Sequence, residues 1–389
     1  MTDSIPEYLD SRLDDYLADL TTLSGTDSYS FDREDVNHVV DWLETRLKTL
    51  GFAVQRQPQA KAGDNLVAER QGTGQGCVLL LGHSDTVFPR GTAAQRPVTR
   101  QGDKLLGPGT CDMKAGLLAG VYAIAALDAV GFTDYERLGF LIVSDEEIDE
   151  RPSIPLIRAT CREYDAVLTL EAARENGDIV TARKGVRSFG AQASGRAAHS
   201  GVEPEKGRSA ILAMAHQVIA LQQLNDPAQG VSVNVGVVEG GRLRNIVPDQ
   251  AAIRFEARAF SQDDLDRVTA TIEDLFTRST VPDVTFQVHW EQTSPPMPRT
   301  AAIALLEKMT TQIGAELGFE VHGASTGGAA DAAFAAGEGV PALDGLGPIG
   351  GLDHGPDEYI LHSSIVPRTA LLARLMQAIV QTPELVRSR

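Results

Sequence analysis

Apolar residues recur at helical spacing over the first fifty or so positions. From about residue 33 to 50, Val36, Val39, Val40, Leu43 and Leu47 share one face, Asp32 is placed to cap the start, and Gly51 to stop the end. A second amphipathic stretch predicts one helix from about 6 to 22. Beyond Gly51 the period changes. To about residue 182, short apolar runs at 77–82, 138–143 and 166–170 alternate with helical patterns, the order of an α/β domain with a largely parallel sheet. Between the first two runs, "DMKAGLLAGVYAIAALDAV" predicts a helix whose small residues allow close packing on that sheet.

The pattern changes again from about 186 to 291. There it runs strand, helix, strand, strand, helix, strand, and βαββαβ is the order of a ferredoxin-like unit. "TSPPMPRT", residues 293 to 300, predicts a linker, because three prolines in eight residues continue neither strand nor helix. The α/β pattern then resumes and closes on an apolar helix near 364 to 381. The expected organisation is a small domain, 185–293, inserted into a larger one made of 1–184 and 294–389.

At 389 residues, 42% of them hydrophobic, the chain can bury two cores. A formal net charge of −18 with no long basic block argues against nucleic acid or an anionic membrane as partner. No apolar run approaches membrane-spanning length, and the first thirty residues are acidic, not basic and then apolar, so a cytoplasmic location is expected. Cys77, Cys111 and Cys161 are odd in number and far apart, which fits a reducing compartment.

Candidate chemistry collects where parallel sheets bind ligands, at the carboxyl ends of the strands. His83 and Asp85 follow the first run, Asp145, Glu146 and Glu147 the second, and Glu171 the third. Asp112 sits in the glycine-rich "GPGTCDMKAG", and His354 in "GGLDHGPDEY" after a late strand. Singly, an acidic run is usually solvated surface, an aspartate at a helix start a cap, and a loop histidine only that. Together, several carboxylates at one sheet edge raise one another's pKa unless cations neutralise them. Two histidines and three acids can hold two divalent ions with one carboxylate bridging. Glu146 and Glu147 are consecutive and point apart, so one can ligate while the other serves as a base towards a metal-activated water. The implied chemistry is hydrolysis of an amide or related bond.

In order, "GHSDTVFP", "GPGTCDMKAG", "SDEE", "GRAAHSG", "RNIVPDQ" and "GGLDHGPDEY" resemble the dinuclear zinc metallopeptidases and deacylases. That superfamily includes glutamate carboxypeptidase, acetylornithine deacetylase, succinyl-diaminopimelate desuccinylase and aminoacylase. Nearly the whole chain is covered, and "GHSDTVFPRGT" is closest to the glutamate carboxypeptidase group. The resemblance implies an α/β, zinc-exopeptidase-like catalytic domain with a mostly parallel central sheet and an inserted ferredoxin-like lid/dimerisation domain. It implies two Zn2+ per subunit, with Asp112 bridging, His83 and Glu171 on one ion, Glu147 and His354 on the other, and Glu146 as general base. Co2+ or Mn2+ can occupy similar sites. Asp85 is expected behind His83, fixing its tautomer, and the Asp112–Met113 peptide is expected to be cis. His199 corresponds to the histidine that enters a partner subunit's site to polarise the scissile carbonyl, which implies a homodimer through the inserted domain. Asn245 and Arg258 correspond to substrate-binding positions, although Arg258 can equally be a strand-surface ion pair. Gly327 and Gly328 lie in the loop that meets a substrate carboxylate.

Two departures bear on the substrate, which the resemblance makes a small molecule or short peptide with a free carboxylate. Desuccinylase-like members carry an arginine just after the glycine loop, where this chain has Asp331, Ala332, Ala333 and Phe334. The ligand after the third strand is Glu171, which the carboxypeptidase-like and deacylase members favour over aspartate. The leading expectation is an amidohydrolase that releases a C-terminal amino acid, acidic ones included, from a peptide or N-acyl conjugate. The alternatives are an N-acyl-amino-acid deacylase and a metal-stabilised binding protein without catalysis.

Overall fold

The computed structural model describes residues 4–148 and 151–387, Gln292 by its backbone alone. They form two compact units. The first comprises Met1–Thr181, Arg299–Ser325 and Ala330–Arg389, the second Ala182–Pro298 with Thr326–Ala329.

The first unit is built on a six-stranded sheet in the order Ala53–Gln57, Asn65–Gln71, Arg137–Val143, Cys77–His83, Ala166–Thr169, Ala342–Leu343. The two outermost pairings on the Ala53 side are antiparallel and the other three parallel. Every residue of Cys77–His83 is buried, as expected of a central parallel strand covered on both faces. Helix Ala115–Ala129 covers one face and is buried almost all round. It can lie so close because of Gly116, where a Cβ would fall 1.8 Å from the Leu170 carbonyl oxygen. By length and composition Thr110–Ala129 could cross a membrane, but 89% of its apolar window is buried inside the protein, as in a core helix.

Three local expectations are corrected. The helix expected over 6–22 is two, Ile5–Ser11 and Leu13–Ser24, because Arg12 leaves the helical region (φ −111°, ψ 5°) and its N–H bonds Leu9 O at 3.0 Å. The second piece then runs where Tyr16 donates to Ala115 O at 2.6 Å. The helix expected from Asp112 begins at Ala115. Asp112 and Met113 are non-helical and joined by a cis peptide, as the resemblance implies. Thr293 and Ser294, read as linker, still belong to strand Thr285–Ser294, paired with Arg187 and Val186. The prolines follow, and among them Met297 exchanges two backbone hydrogen bonds of 3.0 Å with Arg183, so this segment is held on both sides.

The second unit has the βαββαβ order. Its strands are Gly185–Ser194, Ser232–Gly240, Gln250–Ala259 and Thr285–Ser294, its helices Ala210–Gln222 and Gln262–Leu275. All strand pairings are antiparallel, with Gly185–Ser194 and Gln250–Ala259 central. Along Gln250–Ala259 the buried positions alternate: Ala251, Ile253, Phe255, Ala257 and Ala259. They pack with Met214, Leu265 and Ile272 of the helices, and Phe255 stacks on Phe189 at 5.0 Å.

Candidate metal centre

The edge of the central sheet brings the candidate ligands together. His83, the last residue of its strand, is 1% exposed. Its Nε2 lies 2.9 Å from Asp112 Oδ1 and 3.7 Å from Glu171 Oε1. His354 comes from a turn in which it and Leu352 take positive φ (62° and 57°). Its Nε2 lies 3.1 Å from both Asp112 Oδ2 and Glu147 Oε2. The two histidines therefore address opposite oxygens of one aspartate, each with a glutamate beside it. Asp353 was missed by sequence reasoning, although it adjoins His354. Its carboxylate groups with Asp112 and His354, all within 4.8 Å, and a second such group is His83, Asp112 and Glu147.

Other buried groups hold these in place. Asp85 accepts from Glu146 N and Glu147 N, both at 3.2 Å, and from Ser30 Oγ at 2.7 Å. His83 Nδ1 is closer to the Asp85 carbonyl oxygen (3.0 Å) than to its carboxylate (3.4 Å), so Asp85 orients the two glutamates as much as the histidine. Asp145 is no ligand: it accepts from Ser153 N at 2.9 Å and from Ser153 Oγ. Glu358, missed from sequence, is fully buried and accepts from Gly109 N (3.1 Å), Cys111 N (2.8 Å) and Asp112 N (3.0 Å), gripping the loop that presents Asp112. Arg151 was missed too. It donates to Asp331 Oδ1 at 2.5 Å and to Asp145 O at 3.0 Å, with Nη1 3.7 Å from Glu146 Oε1.

Several buried acids crowd one another at this edge. Burial pushes the Glu146 carboxyl up to about 8, against the pull of Arg151 and with Asp331 adding to it. Burial raises Glu171 well above the usual range, and Asp112 adds to that; burial also raises Glu147. Hydrogen bonds to Asp112 and Glu147 push His354 up to about 11. A divalent cation relieves this crowding. The donor set, imidazole nitrogens with carboxylate oxygens, suits zinc and its neighbours. One atom argues for it directly: Glu147 Oε1 is buried with no hydrogen-bond partner, which a metal bond would satisfy.

The remaining candidates lie in the second unit. His199 is exposed and its Nδ1 accepts from Gly201 N at 3.2 Å. It bridges Ile246, and Ser200 N donates to Asn245 O at 3.1 Å, so the His199 and Asn245 segments run side by side. Arg258 is paired: it donates to both Glu256 oxygens (2.7 and 2.9 Å) and to Gly327 O (2.7 Å). Gly328 O accepts from Arg183 at 3.0 Å. A Cβ at Gly327 or Gly328 would meet nothing closer than 3.6 Å, so packing within the chain does not demand glycine there. Lys184, missed from sequence, donates to Ser232 Oγ at 3.2 Å; burial lowers its pKa, and the Arg258 charge lowers it further.

A sequence profile described as "Peptidase family M20/M25/M40" matches residues 79–378. Carboxypeptidase G2 of Pseudomonas sp. (strain RS-16) is 30% identical over 353 residues, 89% of this chain and 84% of that protein. Succinyl-diaminopimelate desuccinylase of Dechloromonas aromatica (strain RCB) is 27% identical over 360 residues, 88% of this chain and 93% of that one. The crystal structure of aminopeptidase PepT from Bacillus cereus ATCC 10987 matches with a TM-score of 0.79 at 23% identity, over 94% of this chain and 98% of that one. That likeness and the mostly parallel sheet bear out the expected fold class.

Proposed function

Because the chain belongs to peptidase family M20/M25/M40, a family of hydrolytic enzymes, we propose that it is a two-zinc amidohydrolase releasing a C-terminal amino acid from a peptide or N-acyl conjugate. The observation that carries this reading is the address of His83 and His354 to opposite oxygens of Asp112, beside a buried Glu147 oxygen with no partner. Asp112 would hold both ions, His83 and Glu171 one of them, and Glu147 and His354 the other. Divalent ions bound there supply Lewis acidity, polarising a carbonyl and acidifying water.

The protein's own groups do the rest. Glu146, whose Oε1 lies 3.7 Å from Arg151 Nη1, would take a proton from water and pass it to the leaving nitrogen. Arg258, Lys184 and the Gly327–Gly328 loop would receive the substrate carboxylate, with Arg258 exchanging part of its Glu256 contact for it. Asn245 would bind substrate beside His199, which would act in a partner subunit. An open sheet edge at Ser232–Gly240 and exposed Ile211, Leu212, Ile219 and Val238 support a homodimer through this unit. Cys77, Cys111 and Cys161 are buried and form no disulfide, which suits a cytoplasmic setting.

The N-acyl-amino-acid deacylase reading shares this chemistry. Desuccinylase-like members carry an arginine shortly after the glycine loop, where this chain has Asp331, Ala332, Ala333 and Phe334, and this weighs against a succinyl-diaminopimelate substrate. The test is metal analysis with turnover of peptidyl and N-acyl substrates by wild type and Glu146→Gln. Two ions per chain and a Glu146→Gln variant that keeps its metal but loses turnover are expected. One ion at saturation, or normal turnover by Glu146→Gln, refutes it. A monomer of full activity in light scattering removes His199 from the mechanism.

A further inference from the structure

Asp353 precedes His354 in the turn between Gly350–Gly351 and Tyr359–Leu361, and no role above uses it. Neighbouring residues on a strand point to opposite sides. In this turn, with Leu352 and His354 both at positive φ, the two side chains instead reach one place: ligand atoms of Asp353, His354 and Asp112 lie within 4.8 Å of one another. Both residues stand at the open side of the centre. Asp353 is exposed and the His354 side chain half-exposed, whereas His83 is buried. Among the described residues, no group donates a hydrogen bond to the Asp353 carboxylate and no lysine or arginine pairs with it.

An exposed carboxylate ordinarily turns away from another carboxylate into water, because like charges repel. Asp353 is held beside Asp112 with no donor of its own, an arrangement that a cation stabilises. An independent atom aims into the same space. Glu147, whose side chain is 6% exposed, keeps Oε2 3.1 Å from His354 Nε2, while its Oε1 is buried with no partner. The two ion positions therefore differ in their donors. Beside His83 stand the carboxylates of Asp112 and Glu171; beside His354 stand those of Asp112, Glu147 and Asp353. Charge points the same way: Asp112, Glu147 and Glu171 leave two divalent ions with one unbalanced charge, which a fourth carboxylate cancels.

We propose that Asp353 is a further ligand of the ion held by His354, and that its added oxygen makes this the position where a hard, oxygen-preferring ion such as Mn2+ first replaces zinc. This rests on the two-ion reading and adds to it an inequality between the two positions, set by a residue outside the five ligands that the resemblance implies.

The test uses the metal-free full chain and the metals alone, Zn2+ and Mn2+, titrated against a chelating indicator, with Mn2+ also followed by its EPR signal after one equivalent of zinc has bound. Wild type is expected to bind two ions, and the zinc-preloaded protein to take one Mn2+. Asp353→Asn should weaken that Mn2+ about tenfold or more, the scale on which groups around a metal act, and leave the tighter zinc step within about twofold. In a His354→Ala background, which already lacks the position, Asp353→Asn should change nothing further. Unchanged Mn2+ affinity in Asp353→Asn, equal weakening of both steps, or a further loss in the His354→Ala background overturns the assignment and leaves the two-ion reading standing. A single ion at saturation in wild type overturns that reading, and the assignment with it.

Discussion

Replacing Glu358 with glutamine changes one atom in a fully buried side chain 246 residues away from the loop it holds. In the native protein Oε1 accepts from Cys111 N and Asp112 N, and Oε2 accepts from Gly109 N. A glutamine has one carbonyl oxygen. If it faces Cys111 and Asp112, its NH2 meets the Gly109 N–H, donor against donor; if it flips, two backbone N–H groups are orphaned. The loss is one or two buried donors at about 1 to 3 kcal/mol each, plus the charge assistance on the bonds that survive. Part is offset, because burial pushes the Glu358 carboxyl up to about 7 against the three N–H donors, so its ionised form is itself costly to bury. The net expectation is a loss of about 1 to 3 kcal/mol for Glu358→Gln, and about 3 to 5 kcal/mol for Glu358→Ala, which also leaves a hole. Urea unfolding of the metal-free proteins gives these differences directly. Because the loop carries Asp112, zinc affinity should fall alongside stability. A Glu358→Gln protein with wild-type unfolding midpoint and wild-type zinc affinity would refute the reasoning.

Three further outcomes are expected. Gly116→Ala puts a Cβ 1.8 Å from the Leu170 carbonyl oxygen, one residue before Glu171; a loss of about 3 kcal/mol or more in chemical unfolding is expected, and a loss under 1 kcal/mol would mean the helix shifts freely. Arg151→Ala strands buried Asp331 and should cost about 3 to 5 kcal/mol, whereas the apolar pair Arg151→Met with Asp331→Leu should restore most of it; a double variant as weak as the single contradicts this. Asp64 is raised by burial, but the Arg56 and Arg33 hydrogen bonds outweigh this and hold it below the usual carboxylate range. A depressed folded pKa gives stability that is present above the unfolded value of about 3.9 and lost as pH falls through the folded one. Asp64→Asn should therefore lower stability at neutral pH and flatten its fall below about pH 4, and identical acid limbs for the two proteins would exclude it.

What the sequence made legible was whatever depends on local periodicity or on a shared sheet edge. The apolar run from Val78 to Leu81 could only be a covered strand, and its polar ending at His83 marked the edge where Glu146, Glu147 and Glu171 also had to emerge. Asp32 caps its helix through a bond to Asp35 N, as its residue type predicts. Glu256 and Arg258 are two apart on a strand and so share a face, which made their pairing readable in advance. Contacts between distant segments were not legible. Arg151 and Asp331 are 180 residues apart, and nothing in either neighbourhood names the other. Glu358 reads as one more acid in a polar loop until the fold brings Gly109, Cys111 and Asp112 to it. The break at Arg12 escaped for a different reason: the helical period continues through it, and only docking of Tyr16 on Ala115 shows that the axis must turn there.

The buried acids around the centre can be sorted by a criterion that neither burial nor sequence supplies, namely which of them already have hydrogen-bond donors. Asp85, Asp145 and Glu358 each accept from backbone N–H groups, and Asp85 and Asp145 from serine hydroxyls as well. Among the described residues, Asp112, Glu147 and Glu171 instead face histidine nitrogens, at 2.9 to 3.7 Å, and one Glu147 oxygen faces no partner. Burial raises Asp145 and Glu358 just as it raises Glu147 and Glu171, so burial alone would rank all four as candidate ligands. Donor count separates them. A carboxylate whose lone pairs are spent on fixed N–H groups is scaffolding, and one left facing only imidazole is available to a cation. On this criterion the acids that move metal affinity most on substitution by their amides are Asp112, Glu147 and Glu171, while amides at Asp85, Asp145 and Glu358 act first on the fold that carries them.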